Sequence, residues 1–388
     1  MDRFVYLDNN ATTQMAQEVI DIMQENANLY GNASSMHALG RNSSSGIEWA
    51  RDQVAQLINS DSREVYFLSG ASEANNTVFN IFRDLIDDGS DKNRIIITTV
   101  EHPASIETAK YLKKKGYHID FAPVDSVGRL DLQKLEEMMG EDVILLSVMT
   151  GNNESGVIQP VKEAAAIAHR YGAYFHTDAT QAMGKIKVDV RDIDADYLSM
   201  SAHKFYGPKG VGVLYARKSA PFTPFVHGGH QENGLRAGTY NNQCVVGMGK
   251  AAELARINLQ EEHDMLWALR EKLRKGIEER IPNVVVNGTN EEAFCLPGTL
   301  NVSFPKAEGE SILLYLDMEG IEVSTGSACA SGSLEPSYVL LAAGLDVELA
   351  HGSIRFSLGR YNTEEDVDYV LEKLPPIIER IRMMSTRK

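Results

Sequence analysis

The sequence predicts an α/β fold with two parts: a large domain on a mostly parallel sheet flanked by helices, and a smaller α+β domain. Two observations support this prediction. Through the first two-thirds of the 388 residues, short apolar segments alternate with helical segments, a pattern typical of βαβ units. Beyond residue 280 the segments are shorter and the alternation is lost, which indicates a second unit.

The strands of the large domain follow in order along the chain. Each predicted strand has a helical pattern beside it, and the strands are EVYFLS from Glu64, NRIIITTV from Asn93, DVILLSVM from Asp142 and AYFHTDAT from Ala173. Near Tyr197 the rhythm changes, because YLSMSAHK and VGVLYAR are separated only by the turn FYGPKG. So short a connection favours antiparallel pairing of these two strands.

A long amphipathic helix is predicted over roughly residues 245–280, which are rich in Ala, Leu, Glu and Lys. After it come the strands NVVVNG and TLNVSF, the short helix ESILLYLDMEG, the strand SIRFSLGR and a last helix from Glu364. We therefore assign residues 15–255 to the large domain. Residues 1–14 and 256–388 are assigned to the small domain, with the long helix as the connector.

The composition narrows the possible functions. A formal net charge of −16 disfavours non-specific binding to nucleic acid or to an anionic membrane, so neither is expected as a partner. The three cysteines, Cys244, Cys295 and Cys329, are too few and too scattered for a disulfide framework or a cysteine-rich metal site. No metal site is predicted. With no apolar run of membrane length and no signal-peptide pattern, the expected location is the cytoplasm.

Three polar features lie where an α/β sheet binds ligands. LSGASEANN, Leu68 to Asn76, ends a strand and opens a helix, whose N–H groups and dipole favour a phosphate with help from the Ser72 hydroxyl. Asp178 ends an apolar strand, and Gln181 follows three residues later. Lys204 follows a further strand and is a candidate for a Schiff-base lysine. The ordinary alternatives are an N-cap for the turn, a helix cap or an ion-pair partner for Asp178, and a solvated lysine for Lys204.

The combination of these features is more informative than any one of them. A phosphate-binding turn, an aspartate at a strand end and a lysine after a later strand are the parts needed to hold pyridoxal phosphate. In this interpretation the turn binds the phosphate, Asp178 pairs with the pyridine nitrogen and Lys204 bonds to the aldehyde carbon. The aspartate would keep the ring protonated and able to accept electrons from a carbanion.

Cys329 lies in a different setting from a structural cysteine. The segment STGSACASGSLEPS, Ser324 to Ser337, surrounds it with small and polar residues, whereas buried cysteines ordinarily lie in apolar runs. Few apolar contacts predict a segment with a low barrier to movement. Cys329 is therefore expected to be either a reactive thiol that moves between two positions or an exposed, inert one.

Nearly the whole chain resembles the cysteine desulfurases of the NifS/IscS type, in class V of the fold-type I pyridoxal phosphate enzymes. The resemblance implies a large domain with a sheet of the seven-stranded type. It rests on motifs in a fixed order, which are YLDNNATT at Tyr6, GNASSMH at Gly31, SGASEANN at Ser69, EHPA at Glu101, NNESG at Asn152, DATQAMGK at Asp178, SAHKFYGPKG at Ser201, GGHQENGLRAGTYN at Gly228, GSACASGSLEPS at Gly326 and SIRFSLGR at Ser353.

The resemblance implies a role for further residues. His102 is expected to stack on the cofactor ring and to help move protons, with helix capping as the alternative. Gln181 and Asn153 are expected to bind the phenolic oxygen of the cofactor or, for Asn153, the substrate. Arg355 is expected to bind the substrate carboxylate through two parallel bonds. The implied phosphate ligands are Ala71, Ser72, Ser201, His203 and, from the second subunit of a homodimer, Thr239.

The activity implied is desulfuration of L-cysteine to L-alanine, with Lys204, His102 and Cys329 as catalytic residues. The persulfide formed on Cys329 would pass its sulfur to an iron–sulfur scaffold protein or another acceptor. An aminotransferase or a selenocysteine lyase of the same class is an alternative, although an aminotransferase would not need Cys329. A non-enzymatic sulfur-carrier scaffold is a second alternative, and it would not need the pair of Lys204 and Asp178.

Overall fold

The computed structural model describes residues 3–28, 30–325 and 335–385. Its strands, in chain order, are β1 (Val5–Tyr6), β2 (Val65–Leu68), β3 (Arg94–Thr98), β4 (His118–Ala122), β5 (Val143–Ser147), β6 (Tyr174–Asp178), β7 (Tyr197–Ser201), β8 (Gly212–Ala216), β9 (Val285–Asn287), β10 (Thr299–Ser303), β11 (Ile321–Glu322) and β12 (Ser353–Ser357). Its helices are α1 (Gln17–Glu25), α2 (Ala38–Ile58), α3 (Ala71–Asp87), α4 (Pro103–Lys114), α5 (Leu132–Met138), α6 (Val161–Arg170), α7 (Val190–Ile193), α8 (Asn242–Arg280), α9 (Gly309–Met318), α10 (Tyr338–Ala342), α11 (Val347–His351) and α12 (Glu364–Met384).

The largest sheet has seven strands in the order β2-β8-β7-β6-β5-β3-β4. β8 runs antiparallel to both of its neighbours, and the other neighbouring pairs are parallel. The predicted mostly parallel sheet and the predicted antiparallel pairing of β7 with β8 are both confirmed. Because β5, β6 and β7 are parallel, their carboxyl ends meet at one edge of the sheet, which is the edge where α/β proteins bind ligands.

The central strands are buried on both faces, and this explains their continuous apolar sequences. Alternate residues of β3 divide between two layers of core: Ile96 packs in one layer, while Ile95 and Ile97 pack in the other. The edge strand β4 was missing from the sequence prediction. It pairs with β3 alone, and its exposed His118 and half-buried Asp120 interrupt the apolar pattern that revealed the other strands.

The long helix α8 has 39 residues and spans about 58 Å at 1.5 Å per residue. Its first half contributes Met248 to the core of the large sheet, and its second half contributes Leu273 to a separate core that also contains Val5 of β1. The predicted connecting helix is therefore observed. The two cores support, as a proposal, the division into residues 15–255 and residues 1–14 with 256–388.

The smaller unit contains a three-stranded antiparallel sheet, β12-β10-β9. Beside it, β1 pairs in parallel with β11, and Asp8 forms a bridge to Ser357 at the end of β12. These two pairings place the start of the chain between the small sheet and the edge of the large sheet. In the parts of the chain that the structure describes, no helix combines the length and apolarity needed to span a bilayer.

Candidate active site

A cavity of about 930 Å³ lies at the carboxyl ends of β6 and β7. Its lining includes most of the site residues predicted from the sequence, namely Ala71, Ser72, His102, Asn153, Asp178, Gln181, Ser201, His203, Lys204 and Arg355. Thr239 is exposed and does not line the cavity. Cys329 lies outside the described residues. The structure thus brings together groups that are widely separated in the sequence, while the role of each stays a prediction.

The turn that precedes α3 forms one wall of the cavity. Gly70 is the N-cap of this helix and offers no side-chain cap, so Ser72 is not the capping residue. Glu73 accepts a hydrogen bond from the Ser69 backbone N–H at 2.7 Å and pairs with Arg236, whose Nε lies 2.8 Å from Oε1. Because Arg236 balances the charge of Glu73, the helix N-terminus remains favourable for an anion.

Asp178 is buried at the end of β6. Its Oδ2 accepts a hydrogen bond from Asn75 Nδ2 at 2.7 Å, and its Oδ1 accepts one from the Thr180 backbone N–H at 3.0 Å. No lysine or arginine of the described residues forms an ion pair with it, so the ion-pair alternative raised from the sequence is wrong. A buried carboxylate held in this way is well placed to accept a hydrogen bond from a cationic ring nitrogen.

Lys204 lies in a single 3₁₀ turn, Ala202–Lys204, directly after β7. Its side chain is partly buried, and its Nζ donates to the backbone carbonyl of Ala11 at 2.8 Å and to that of Asn10. A solvated surface lysine, the alternative raised from the sequence, is therefore wrong. The two carbonyls hold the amine at the cavity.

Two histidines of the lining are neutral at physiological pH. His102 caps α4, with Nδ1 accepting the Ala104 backbone N–H at 3.1 Å, so the neutral ring carries its proton on Nε2. Burial lowers the pKa of His102, and Lys204 acts in the same direction against the opposing effect of Asp178. Burial also lowers the pKa of His203 to about 4, assisted by nearby cations. Helix capping by His102 is thus observed together with its position in the cavity.

Arg355 lies on β12 and is only 1% exposed, so it is not a surface arginine. Its Nη1 donates to the carbonyl of Asn153 at 2.9 Å, and its Nη2 donates to Asp8 Oδ1 at 2.7 Å. Its backbone pairs with Ser324, with N···O distances of 2.7 and 3.2 Å. A fixed guanidinium at the cavity wall suits the recognition of a carboxylate.

Sequence reasoning missed two residues that hold this arrangement together. The backbone carbonyl of Asn10 accepts hydrogen bonds from Lys204 and, at 2.7 Å, from Gln181 Nε2. Its side-chain Oδ1 accepts one from the buried Lys185 at 2.9 Å. Asn10 lies in the motif YLDNNATT and Lys185 in the motif DATQAMGK, and neither residue type suggests a role by itself. The polar run after the short strand at Tyr6 was the available signal, since polar residues after strands often meet at ligand sites.

The polar groups of the cavity fit pyridoxal phosphate. Lys204, Lys209 and Arg355 contribute positive charge to the lining, and the N-terminus of α3 adds backbone donors suited to a phosphate. Thr180 also lines the cavity, and its hydroxyl is buried without a hydrogen-bond partner among the described residues. Buried polar atoms are ordinarily paired, so this hydroxyl is consistent with a polar ligand.

Comparison with known proteins identifies the family to which this chain belongs. The aminotransferase class-V family matches residues 5–370. Cysteine desulfurase IscS of Dictyoglomus turgidum is 47% identical over 390 residues, which cover 100% of this chain and 98% of the relative. The IscS of Methanosarcina thermophila is 43% identical over 99% of this chain and 94% of the relative. This chain belongs to the cysteine desulfurases of the aminotransferase class-V family.

Solved structures of cysteine desulfurases and related proteins share the fold. A NifS-like protein superposes with a TM-score of 0.91 at 39% identity, covering 97% of this chain and all of that one. SspA in complex with cysteine superposes with a TM-score of 0.79 at 31% identity, covering 92% of this chain and all of that one. The predicted fold class is confirmed by these similarities.

Proposed function

We propose that this chain is a pyridoxal-phosphate-dependent L-cysteine desulfurase that produces L-alanine and a persulfide on Cys329. The observation that carries the proposal is the convergence of an amine, a buried carboxylate and a buried guanidinium on one cavity, from Lys204, Asp178 and Arg355. The substrate follows from the relatives named cysteine desulfurase and from the neighbour solved with cysteine.

The cavity offers a partner for each polar part of the cofactor. Asp178 would accept a hydrogen bond from the pyridine nitrogen, His102 would lie against the ring, and Gln181 and Asn153 would serve the phenolic oxygen or the substrate. When bound, pyridoxal phosphate supplies a ring that withdraws electrons from the α-carbon of an attached amino acid. The phosphate would be bound by Ala71 and Ser72 at the start of α3 and by Ser201 and His203 at the end of β7 and in the turn after it.

The chain's own residues orient the substrate and move its protons. Arg355 would bind the carboxylate of L-cysteine, because its guanidinium is fixed by Asn153 and Asp8 and has the planar geometry that matches a carboxylate. Lys204 would accept the α-proton, since backbone carbonyls hold its Nζ at the cavity. The neutral amine can keep its N–H groups on these carbonyls while its lone pair accepts the proton. His102, neutral and protonated on Nε2, would pass protons between substrate and solvent.

Sulfur leaves the substrate by attack of the Cys329 thiolate on the cysteine sulfur. A sulfur–sulfur bond forms as the carbon–sulfur bond breaks, and the electron pair of the broken bond stays on Cβ. Protonation of Cβ gives the methyl group, and return of a proton from Lys204 to Cα completes L-alanine, while Cys329 retains the transferred sulfur as a persulfide. Cys329 lies outside the described residues, so this role is proposed from its sequence segment and from the family.

The proposal includes a homodimer and a sulfur acceptor. Thr239 is exposed and lies off the cavity of its own subunit, which supports its predicted contribution to the phosphate site of the second subunit. The acceptor would be an iron–sulfur scaffold protein or another thiolation partner. Because a sulfur-accepting thiol must stay reduced, we propose the cytoplasm as its compartment.

The test combines one spectrum with one product assay. Reconstituted with pyridoxal phosphate, the wild-type protein should become yellow and release L-alanine from L-cysteine in the presence of a thiol acceptor. Formation of a keto acid without sulfur release would indicate an aminotransferase instead, and a strong preference for selenocysteine would indicate the lyase. A protein that stays colourless after reconstitution would refute the enzyme assignment.

A further inference from the structure

Lys185 is a buried lysine that does not line the cavity. It lies behind two residues that do, because its Nζ donates to Asn10 Oδ1 and to Gln181 Oε1, at 2.9 Å in both cases. Gln181 is the residue predicted to bind the cofactor's phenolic oxygen. Lys185 therefore contacts a residue that is predicted to bind the cofactor, and it does not face the cofactor cavity itself.

This contact fixes which end of the Gln181 amide faces which neighbour. Gln181 Oε1 accepts from Lys185, and Gln181 Nε2 donates one N–H to the Asn10 carbonyl at 2.7 Å. A reversed amide would place its NH₂ group against the Lys185 amine and its oxygen against a carbonyl oxygen, losing both hydrogen bonds. The lysine thus selects the orientation in which the amide keeps a second N–H donor.

The Asn10 side chain is held by the same amine. Its Oδ1 accepts from Lys185, while its Nδ2 donates to the Asn153 carbonyl at 3.1 Å and to Thr299 Oγ1 at 2.9 Å. The Asn10 carbonyl, in turn, is the shared acceptor for Gln181 and Lys204. One buried amine therefore holds Gln181 directly and also holds Asn10, whose carbonyl accepts a hydrogen bond from Gln181.

Burying a lysine in this position is costly for folding. Burial, together with Lys204 and Arg355, lowers the pKa of Lys185 to about 7, which shows how unfavourable a further cation is here. Its charged and neutral forms both carry N–H groups, so the two hydrogen bonds persist in either form. A neutral apolar residue would avoid the burial cost but would leave two buried oxygens without a donor.

We propose that Lys185 is a positioning residue that acts through Gln181, holding its amide so that the second N–H donates to the phenolic oxygen of pyridoxal phosphate. The proposal rests on the proposed function, which requires that cofactor. It assigns no direct contact between Lys185 and the cofactor. Its effect should therefore depend on the phenolic oxygen and on Gln181.

The experiment compares two ligands on the same protein samples. Apoprotein is titrated with pyridoxal 5'-phosphate and with its 3-deoxy analogue, which lacks the phenolic oxygen, and binding is followed by fluorescence quenching. Lys185→Met should weaken binding of pyridoxal phosphate about tenfold, the effect of one lost hydrogen bond, and should change binding of the analogue less than threefold. Lys185→Arg, which retains N–H donors, should recover most of the loss. Lys187→Met is the matched control, because that side chain is 80% exposed.

A second comparison tests whether the lysine acts through the glutamine. If it does, the double variant Lys185→Met/Gln181→Leu should bind pyridoxal phosphate no more weakly than Gln181→Leu alone. Equal losses for the two ligands, additive losses in the double variant, or no loss in Lys185→Met would each overturn the proposal. A wild-type protein that binds neither ligand would refute the proposed function itself. Variants that lose affinity equally for both ligands, while the wild-type protein binds them, would refute only the role of Lys185.

Discussion

Replacing Arg355 by leucine tests the substrate site most directly. The guanidinium is buried, and its two Nη atoms are held by the Asn153 carbonyl and by Asp8 at 2.9 and 2.7 Å. It is therefore already oriented before a substrate carboxylate binds, and little of the binding free energy is lost in ordering it. Loss of charge-assisted bonds to a buried carboxylate should cost about 2–4 kcal/mol.

That cost corresponds to a loss of roughly 30- to 1000-fold in kcat/KM for L-cysteine. The assay is the initial rate of L-alanine formation over a range of L-cysteine concentrations, normalised to bound cofactor. Arg355→Lys should lose less, because it keeps a positive charge but cannot make two parallel bonds. The loss of the Asp8 ion pair should add little instability, since the Asp8 side chain is 22% exposed and can be hydrated.

Arg360 provides the control for general damage. It lies just beyond β12, pairs with Glu262, stacks on Tyr206 and does not line the cavity. Arg360→Leu should lower the thermal stability but leave kcat/KM per folded, cofactor-loaded protein within about threefold of wild type. The reasoning is refuted if Arg355→Leu binds the cofactor normally and retains kcat/KM within the same threefold range.

Three further predictions test other parts of the interpretation. Lys204→Ala should abolish turnover, and peptide mapping after borohydride reduction of the wild-type protein should find the cofactor on Lys204 and on no other lysine. Cys329→Ala should bind the cofactor and change its spectrum with L-cysteine but release no sulfur. The control Cys244→Ala should be fully active. Sulfur release by Cys329→Ala would contradict the persulfide role of Cys329. Burial raises the pKa of Glu101 to about 8 from an ordinary 4.5, so its contribution to stability is greatest below pH 4.5 and is lost as the pH rises through 8. Glu101→Gln should therefore gain in denaturation midpoint relative to wild type between pH 5 and pH 8, and an unchanged difference would show that Glu101 is not protonated when folded.

The sequence was sufficient to predict the central strands and the long connecting helix, because both are extreme cases of their patterns. A strand buried on both faces is continuously apolar, as in the five buried residues of β5, and α8 repeats its apolar positions over many turns. The edge strand β4 could not be found in this way. Its pairing with β3 depends on a neighbour that is distant in the sequence, and its own residues alternate between polar and apolar.

The same distinction between local pattern and distant contact separates the site residues that could be recognised in the sequence from those that could not. Asp178 and Lys204 could be recognised because each follows an apolar strand, and the identity of the residue alone suggests its chemistry. For Asn10 the only signal was the polar run after the short strand at Tyr6, and Lys185 had none, because an amide and a lysine acquire their importance from contacts made across the fold. Lys185 lies only four residues after Gln181, yet nothing in the local sequence indicates that it is buried or that it faces Asn10.

The contacts of residues 8–13 show how the two units of the chain share one site. Asp8 pairs with Arg355 on the small sheet, whereas Asn10 and Ala11 bind Lys204 beside the large sheet. The proposed carboxylate-binding group and the proposed catalytic amine are therefore held by neighbouring residues of one segment. Because consecutive Cα atoms are 3.8 Å apart, three residues permit little independent movement of the two groups. This segment accordingly fixes the distance between the proposed carboxylate-binding group and the proposed catalytic amine, and a fixed distance is what removal of the α-proton of a bound amino acid requires.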